Sequence, residues 1–248
     1  QTKRYYQLLT RFSANLAILS DIAMLVLGAD LKRKERISAR LGDVLSHLYL
    51  ASACLKRFND EGRKPDDLPL LQWAVEDSLF TIQQAIDALL NNFPNKWLSR
   101  ILRLVIFPFG TWLTKPSDIL DHQIATLLQT PSEVRTRLGK DQYLTRDGIN
   151  VFGILEQTLE DIIACEPIFD KVCKALDKKL PFYHLDKVAK LGLEANAISD
   201  TEATLLINTE IGRKAVIAVD DFDSSELISN KNDTNYLQKK FKRLLEGT

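Results

Sequence analysis

Apolar residues recur along the first third of the chain at alternating steps of three and four. That spacing collects side chains on one face of an α-helix. Leu9, Phe12, Leu16, Leu19, Ala23 and Val26 make a first stripe, and Gly28 follows as a stop signal. Ile37, Leu41, Val44, Leu48, Ala51 and Leu55 make a second, inside a helix read as continuous over residues 31–58. Leu45, Tyr49 and Ala53 broaden that helix, which predicts that it touches two neighbours and lies centrally. Val75, Leu79, Ile82, Ile86 and Leu89 make a third stripe, joined to the second through the Pro- and charge-rich residues 59–69. Three long helices with matching seams predict an antiparallel bundle packed at small crossing angles. The expected fold class is all-α: a helical bundle followed by shorter helices.

The second half reads as helices in shorter pieces. Thr130-Pro131-Ser132-Glu133 and Ser199-Asp200-Thr201-Glu202 both have the form of a capping box. Residues 151–165 and 167–176 read as two helices broken at Pro167, and residues 184–193 as another, with His184 at its start. Residues 215–219 are a short β-like run that can equally end a helix. An acidic run, Asp220-Asp221-Phe222-Asp223, follows. Residues 230–235 read as a linker, and residues 236–245 as a short basic helix or frayed tail. The expected divisions are a long-helix bundle over 1–113, a shorter-helix half over 114–227 and a tail over 228–248.

Two segments do not fit a plain bundle. Lys32, Arg33, Lys34 and Arg36 crowd the start of the second helix, where aligned peptide N–H groups already present partial positive charge. Such a block calls for something anionic nearby: an acidic neighbour such as the run at 220–223, a partner, a phosphate or a lipid surface. The other is residues 97–113, WLSRILRLVIFPFGTWL. Trp97, Ile101, Leu104 and Val105 share one face, with Ser99, Arg100 and Arg103 opposite. Pro108 and Gly110 then break the helix and leave Phe107, Phe109 and Trp112 in a turn. An in-plane membrane helix has this composition, and so does a helix seated in a protein groove or covered by its own core. The segment is too short to span a bilayer, and no unbroken apolar run in the chain reaches the roughly 18–20 residues needed.

Composition narrows the function. The 248 residues carry 33 basic and 33 acidic side chains, so a general nucleic-acid binder, which needs a basic surplus, is excluded. Cys54, Cys165 and Cys173 form no Cys-x-x-Cys pair and suit buried thiols in a reducing compartment. Asp43–His47 and Asp118–His122 are spaced to hold a metal or poise a base, yet neither belongs to a His-Glu-x-x-His or paired Glu-x-x-His pattern. Glu156, Glu160 and Asp161 crowd one helix without a visible base. Phosphate-loop and G-x-G-x-x-G patterns are absent. The residues describe a helical interaction module with no catalytic, cofactor-binding or metal site of its own.

Residues 31–80, LKRKERISARLGDVLSHLYLASACLKRFNDEGRKPDDLPLLQWAVEDSLF, resemble the C-terminal region of the long bacterial fatty-acyl-CoA dehydrogenases of the FadE type. VIFPFG (105–110), PSDILDHQIA (116–125), LPFYHLD (180–186) and VDDFD (219–223) occur there in the same order, so the likeness covers about residues 4–227. The chain opens on Gln1, which fits a piece of a longer polypeptide. The resemblance implies an intact enzyme that uses FAD, held in an upstream dehydrogenase core, to oxidise acyl-CoA to trans-2-enoyl-CoA in fatty-acid β-oxidation. It implies no catalytic residue here. It implies a helical domain serving homodimer contact and peripheral attachment at the cytoplasmic face of an anionic membrane. Trp97, Ile101, Leu104, Val105, Phe107, Phe109 and Trp112 would then form the contact surface, and Lys32, Arg33, Lys34 and Arg36 a docking block. The competing expectation is a stand-alone helical adaptor that binds a protein through the same segment.

Overall fold

Each apolar stripe becomes one long helix in the computed structural model, which describes residues 2–146 and 150–218. The helices are α1 (Thr2–Leu27), α2 (Glu35–Asp60), α3 (Leu68–Asn92), α4 (Lys96–Ile106), α5 (Asp118–Gln129), α6 (Glu133–Gly139), α7 (Val151–Leu176), α8 (Leu185–Glu194) and α9 (Asp200–Ile217). No strand occurs among the described residues. The chain forms two compact units, Gln1–Arg137 and Leu138–Thr248. The division between them falls inside α6, and α5 and α6 are tied back to α3 and to the connection before it. Trp73 Nε1 donates to Asp121 Oδ1 at 2.6 Å, and Arg137 grips Asp67.

In the first unit α1, α2 and α3 run up, down and up. Tyr5, near the start of α1, donates to Glu76 of α3 at 2.9 Å, so those two helices begin at the same end. The third stripe forms the centre of the core: Val75, Leu79, Ile82, Ile86 and Leu89 are all fully buried. Each such side chain contributes about 1.5–3 kcal/mol of transfer free energy before entropy is subtracted. α3 packs on α2, α4, α5 and α1, so it, and not α2, lies centrally. Leu45 and Tyr49 of α2 are 60% and 73% exposed, and Ala53 is exposed too; the broadened face has no neighbour over it.

The start of α2 also differs from the sequence reading. Gly28, with φ of +49°, ends α1 in the left-handed region, and a 3-10 turn over Gly28–Lys32 follows. Regular helix resumes only at Glu35. Lys32, Arg33 and Lys34 therefore lie on the connection, and Glu35 joins Arg36 in the first turn. The unfavourable meeting of a cationic block with a helix dipole is largely avoided. α1 and its 3-10 extension make one helical run, Thr2–Lys32, with a mean hydropathy of 1.7 over 18 residues. That is long and apolar enough to cross a membrane, because the average tolerates the polar residues that interrupt any unbroken run. Leu8, Leu9, Phe12, Leu19 and Ala23 are nonetheless seated in the bundle core.

In the second unit α7 packs on α9 and α8 around Cys165, Val172, Leu185, Val188, Ala189 and Leu206. Pro167 does not break α7, which continues as one α-helix from Val151 to Leu176. Proline removes one i→i−4 bond, and the buried Cys165 and Val172 hold the turns on either side in place. Ser199 and Glu202 form the expected capping box at α9. The other box forms differently: Ser132, not Thr130, caps α6 by accepting from Arg135 N at 3.2 Å. His184 sits in the left-handed region (φ 58°) as the residue before α8. Residues 215–217 end α9 as helix. Val219, the acidic run at 220–223, the linker at 230–235 and the basic segment at 236–245 lie outside the described residues.

Candidate functional site

α4 begins where Asn95 accepts from Leu98 N at 3.1 Å, an N-cap that fixes which way the helix faces. Its buried side carries Leu102 and Ile106, with Leu98 packed alongside. Ser99 is buried as well, contrary to the sequence reading, and its hydroxyl donates to Leu90 O at 2.5 Å. The opposite side is the apolar face. Trp97 is 75% exposed, and Ile101, Leu104 and Val105 are each more than half exposed. The apolar face of the sequence therefore points outward, and the core is met by a second, shorter apolar edge.

After Ile106 the chain turns at Gly110 (φ +78°) and runs extended to Pro116. Phe107 is buried in the bundle core and is not available for contact, which corrects its place in the predicted surface. Phe109 is 94% exposed and Trp112 half exposed. Three interactions hold this strap. Gln83, buried on α3, accepts from Trp112 N and Leu113 N, each at 3.0 Å, and donates to Leu113 O at 3.0 Å. Arg11 donates to Ile106 O at 2.8 Å. The Arg4 guanidinium lies 5.6 Å over the Trp112 ring. Sequence reasoning missed Gln83. The signal was there: Leu79, Gln83, Ile86 and Leu90 share one helical face, and a glutamine among apolar seam residues demands a buried partner.

Because α1–α3 alternate in direction, the α1–α2 connection and the start of α4 lie at the same end of the bundle. Lys32, Arg33, Lys34 and Arg36 are all exposed there. Among the described residues Arg33 has one loose pair, Asp30 at 3.9 Å, and Lys32, Lys34 and Arg36 have none. Arg103, by contrast, is bound to Asp87 at 2.6 Å.

The candidate chemical groups are not assembled. No hydrogen bond joins Asp43 to His47 or Asp118 to His122, and the two pairs are not brought together. Glu160 forks onto Arg146 at 2.6 and 2.9 Å, a partner the sequence did not reveal. His184, Asp186 and Glu210 do converge, with potential ligand atoms within 4.8 Å of one another. Glu210 is buried, and Arg213 holds its two oxygens at 2.8 and 3.0 Å, with Lys214 at 3.5 Å. Those contacts, Arg213 first, hold its carboxyl below the usual carboxylate range. Arg213 and Lys214 already balance Glu210, whereas Asp186 Oδ1 is buried with no hydrogen-bond partner. Burial pushes the Cys165 thiol up, as expected for an inert core cysteine.

The family model for the C-terminal, bacterial-type region of acyl-CoA dehydrogenase matches residues 1–222. No solved structure matches the chain. With nearly the whole all-helical chain matched, it belongs to the bacterial-type acyl-CoA dehydrogenase C-terminal domain family.

Proposed function

We propose that this chain is the non-catalytic C-terminal domain of an FAD-dependent acyl-CoA dehydrogenase, and that it serves dimer contact and attachment to the inner face of an anionic membrane. The catalytic step, acyl-CoA to trans-2-enoyl-CoA, belongs to the upstream core on this reading. The residues here do not fit the flavin itself. A cavity of about 320 Å³ between α7 and α9 has Arg146 as its cation, already committed to Glu160.

One observation carries the membrane part: an outward apolar face on α4, flanked by Phe109 and Trp112, in the same unit as an exposed block of cations of which only Arg33 has an acidic partner among the described residues. Apolar groups enter the headgroup boundary, and each cation near an anionic surface contributes about 1 kcal/mol. Long acyl-CoA substrates partition to bilayers, so attachment shortens their path. The test is co-sedimentation with phosphatidylglycerol-containing vesicles. The chain is expected to bind, more weakly as salt rises, and Trp97→Ser/Phe109→Ser/Trp112→Ser is expected to lose about tenfold or more. Equal binding by that variant overturns the membrane part and leaves a protein groove as the reading for α4.

A further inference from the structure

α1 presents a second uncovered apolar surface, on the side away from its core stripe. Ala14, Ala17, Ile18, Asp21 and Leu25 share it, with Met24 at its edge. Leu25 is 86% exposed, and Ile18 and Met24 are about half exposed. Asp21 is the only charged residue between Arg11 and Asp30. A charge-poor face of this kind differs from α4, which has arginines along its flank, and it is costly to leave in water.

We infer that this face of α1 pairs with the same face of a second copy of the chain, antiparallel about a two-fold axis level with Leu16. The inference rests on the proposed role in dimer contact and assigns that role to one surface. The charge pattern is self-complementary only in this orientation. An antiparallel pairing sets Ile18 of one copy against Ala14 of the other, where the small side chain leaves room for it. It brings Arg11 level with Asp21 of the second copy, and Gln7 level with Leu25. Among the described residues Asp21 has no partner within its own chain, and Arg11 is exposed, spending one N–H on Ile106 O. A parallel pairing would set Asp21 against Asp21 and Arg11 against Arg11. An isologous contact with complementary charges is the usual form of a homodimer. α1 is about 39 Å long at 1.5 Å per residue. One helix pair of that length buries an area near the small end of specific interfaces, about 1,200 Å², so a reversible dimer is expected.

Sedimentation equilibrium of the full chain tests this from low to high micromolar concentration. The expected result is a rise from 28.2 kDa toward twice that mass. Ile18→Glu/Leu25→Glu should remain monomeric with unchanged helical circular dichroism. Arg11→Asp and Asp21→Arg should each weaken association by about tenfold, and the two together should restore it. A monomer at every concentration overturns the inference, as does a dimer indifferent to Ile18→Glu/Leu25→Glu or a double charge reversal that fails to restore pairing. Vesicle binding by Ile18→Glu/Leu25→Glu, which leaves the Arg11 bond to Ile106 O intact, reports the membrane reading separately: a monomer that still binds vesicles removes the dimer surface and leaves the attachment role standing.

Discussion

At the scale of single residues, the polar groups inside the helical units are the most informative. Glu210 is buried on α9 yet stays ionised, because Arg213 forks it and Leu185 N donates to it at 3.4 Å. A depressed carboxyl favours the folded state above the unfolded pKa of about 4.3 and loses that advantage as pH falls through the folded value. Glu210→Gln should therefore melt below the parent chain at pH 7, by about 1–3 kcal/mol in stability, with the gap narrowing toward pH 3. Thermal melts at pH 7, 5 and 3 check this; a gap independent of pH would show that charge on Glu210 is not what matters. Tyr5 is the opposite case: burial and then its bond to Glu76 raise its phenol, so it resists ionisation in alkali. Arg137 ties three acids, Glu61, Asp67 and Glu133, to one guanidinium. None of these roles is legible in sequence. A glutamate or arginine on a helix reads as a solvated charge until its burial is known, and the partners lie from 3 residues away on the same helix to 76 residues away on another element.

At the scale of elements, the long helices were legible because each repeats its apolar step for about four or five turns. What failed were boundaries and faces. Pro167 looks like a terminator locally, but α7 is held by tertiary packing on both sides. The outer face of α2 reads as core, and that of α4 as core, groove or membrane contact alike, because composition alone does not say which of two apolar edges finds a neighbour. Close approach is also invisible in a periodic pattern. Gly153, in the first turn of α7, has the Thr145 carbonyl where a side chain would go; an added Cβ would lie 2.0 Å from that oxygen. Gly153→Ala should destabilise the second unit by about 1–3 kcal/mol, since a backbone carbonyl cannot rotate aside. Urea unfolding followed by circular dichroism measures it. Unchanged stability would mean that the 139–146 segment moves at little cost.

At the scale of the whole chain, fold class followed directly from periodicity, and the resemblance from separated blocks in the right order. The side chains that tie α5 to α3 and α6 to the α2–α3 connection, Asp121 and Arg137, carry no periodic signal. Because the first unit has its own core of more than twenty buried apolar residues, from Tyr5 to Phe107, it meets the size at which a helical core folds alone. Residues 1–137 expressed by themselves should be helical and unfold cooperatively. A fragment without a cooperative transition would show that the first unit needs the rest of the chain.

The clamp of Gln83 on the strap carries one more consequence. The backbone at Trp112 is held before anything docks, so its ordering entropy belongs to folding and not to association. Encounter with whatever surface it meets is then a rigid-body event, without a coupled disorder-to-order step. Its heat-capacity change should follow the apolar area covered and nothing more.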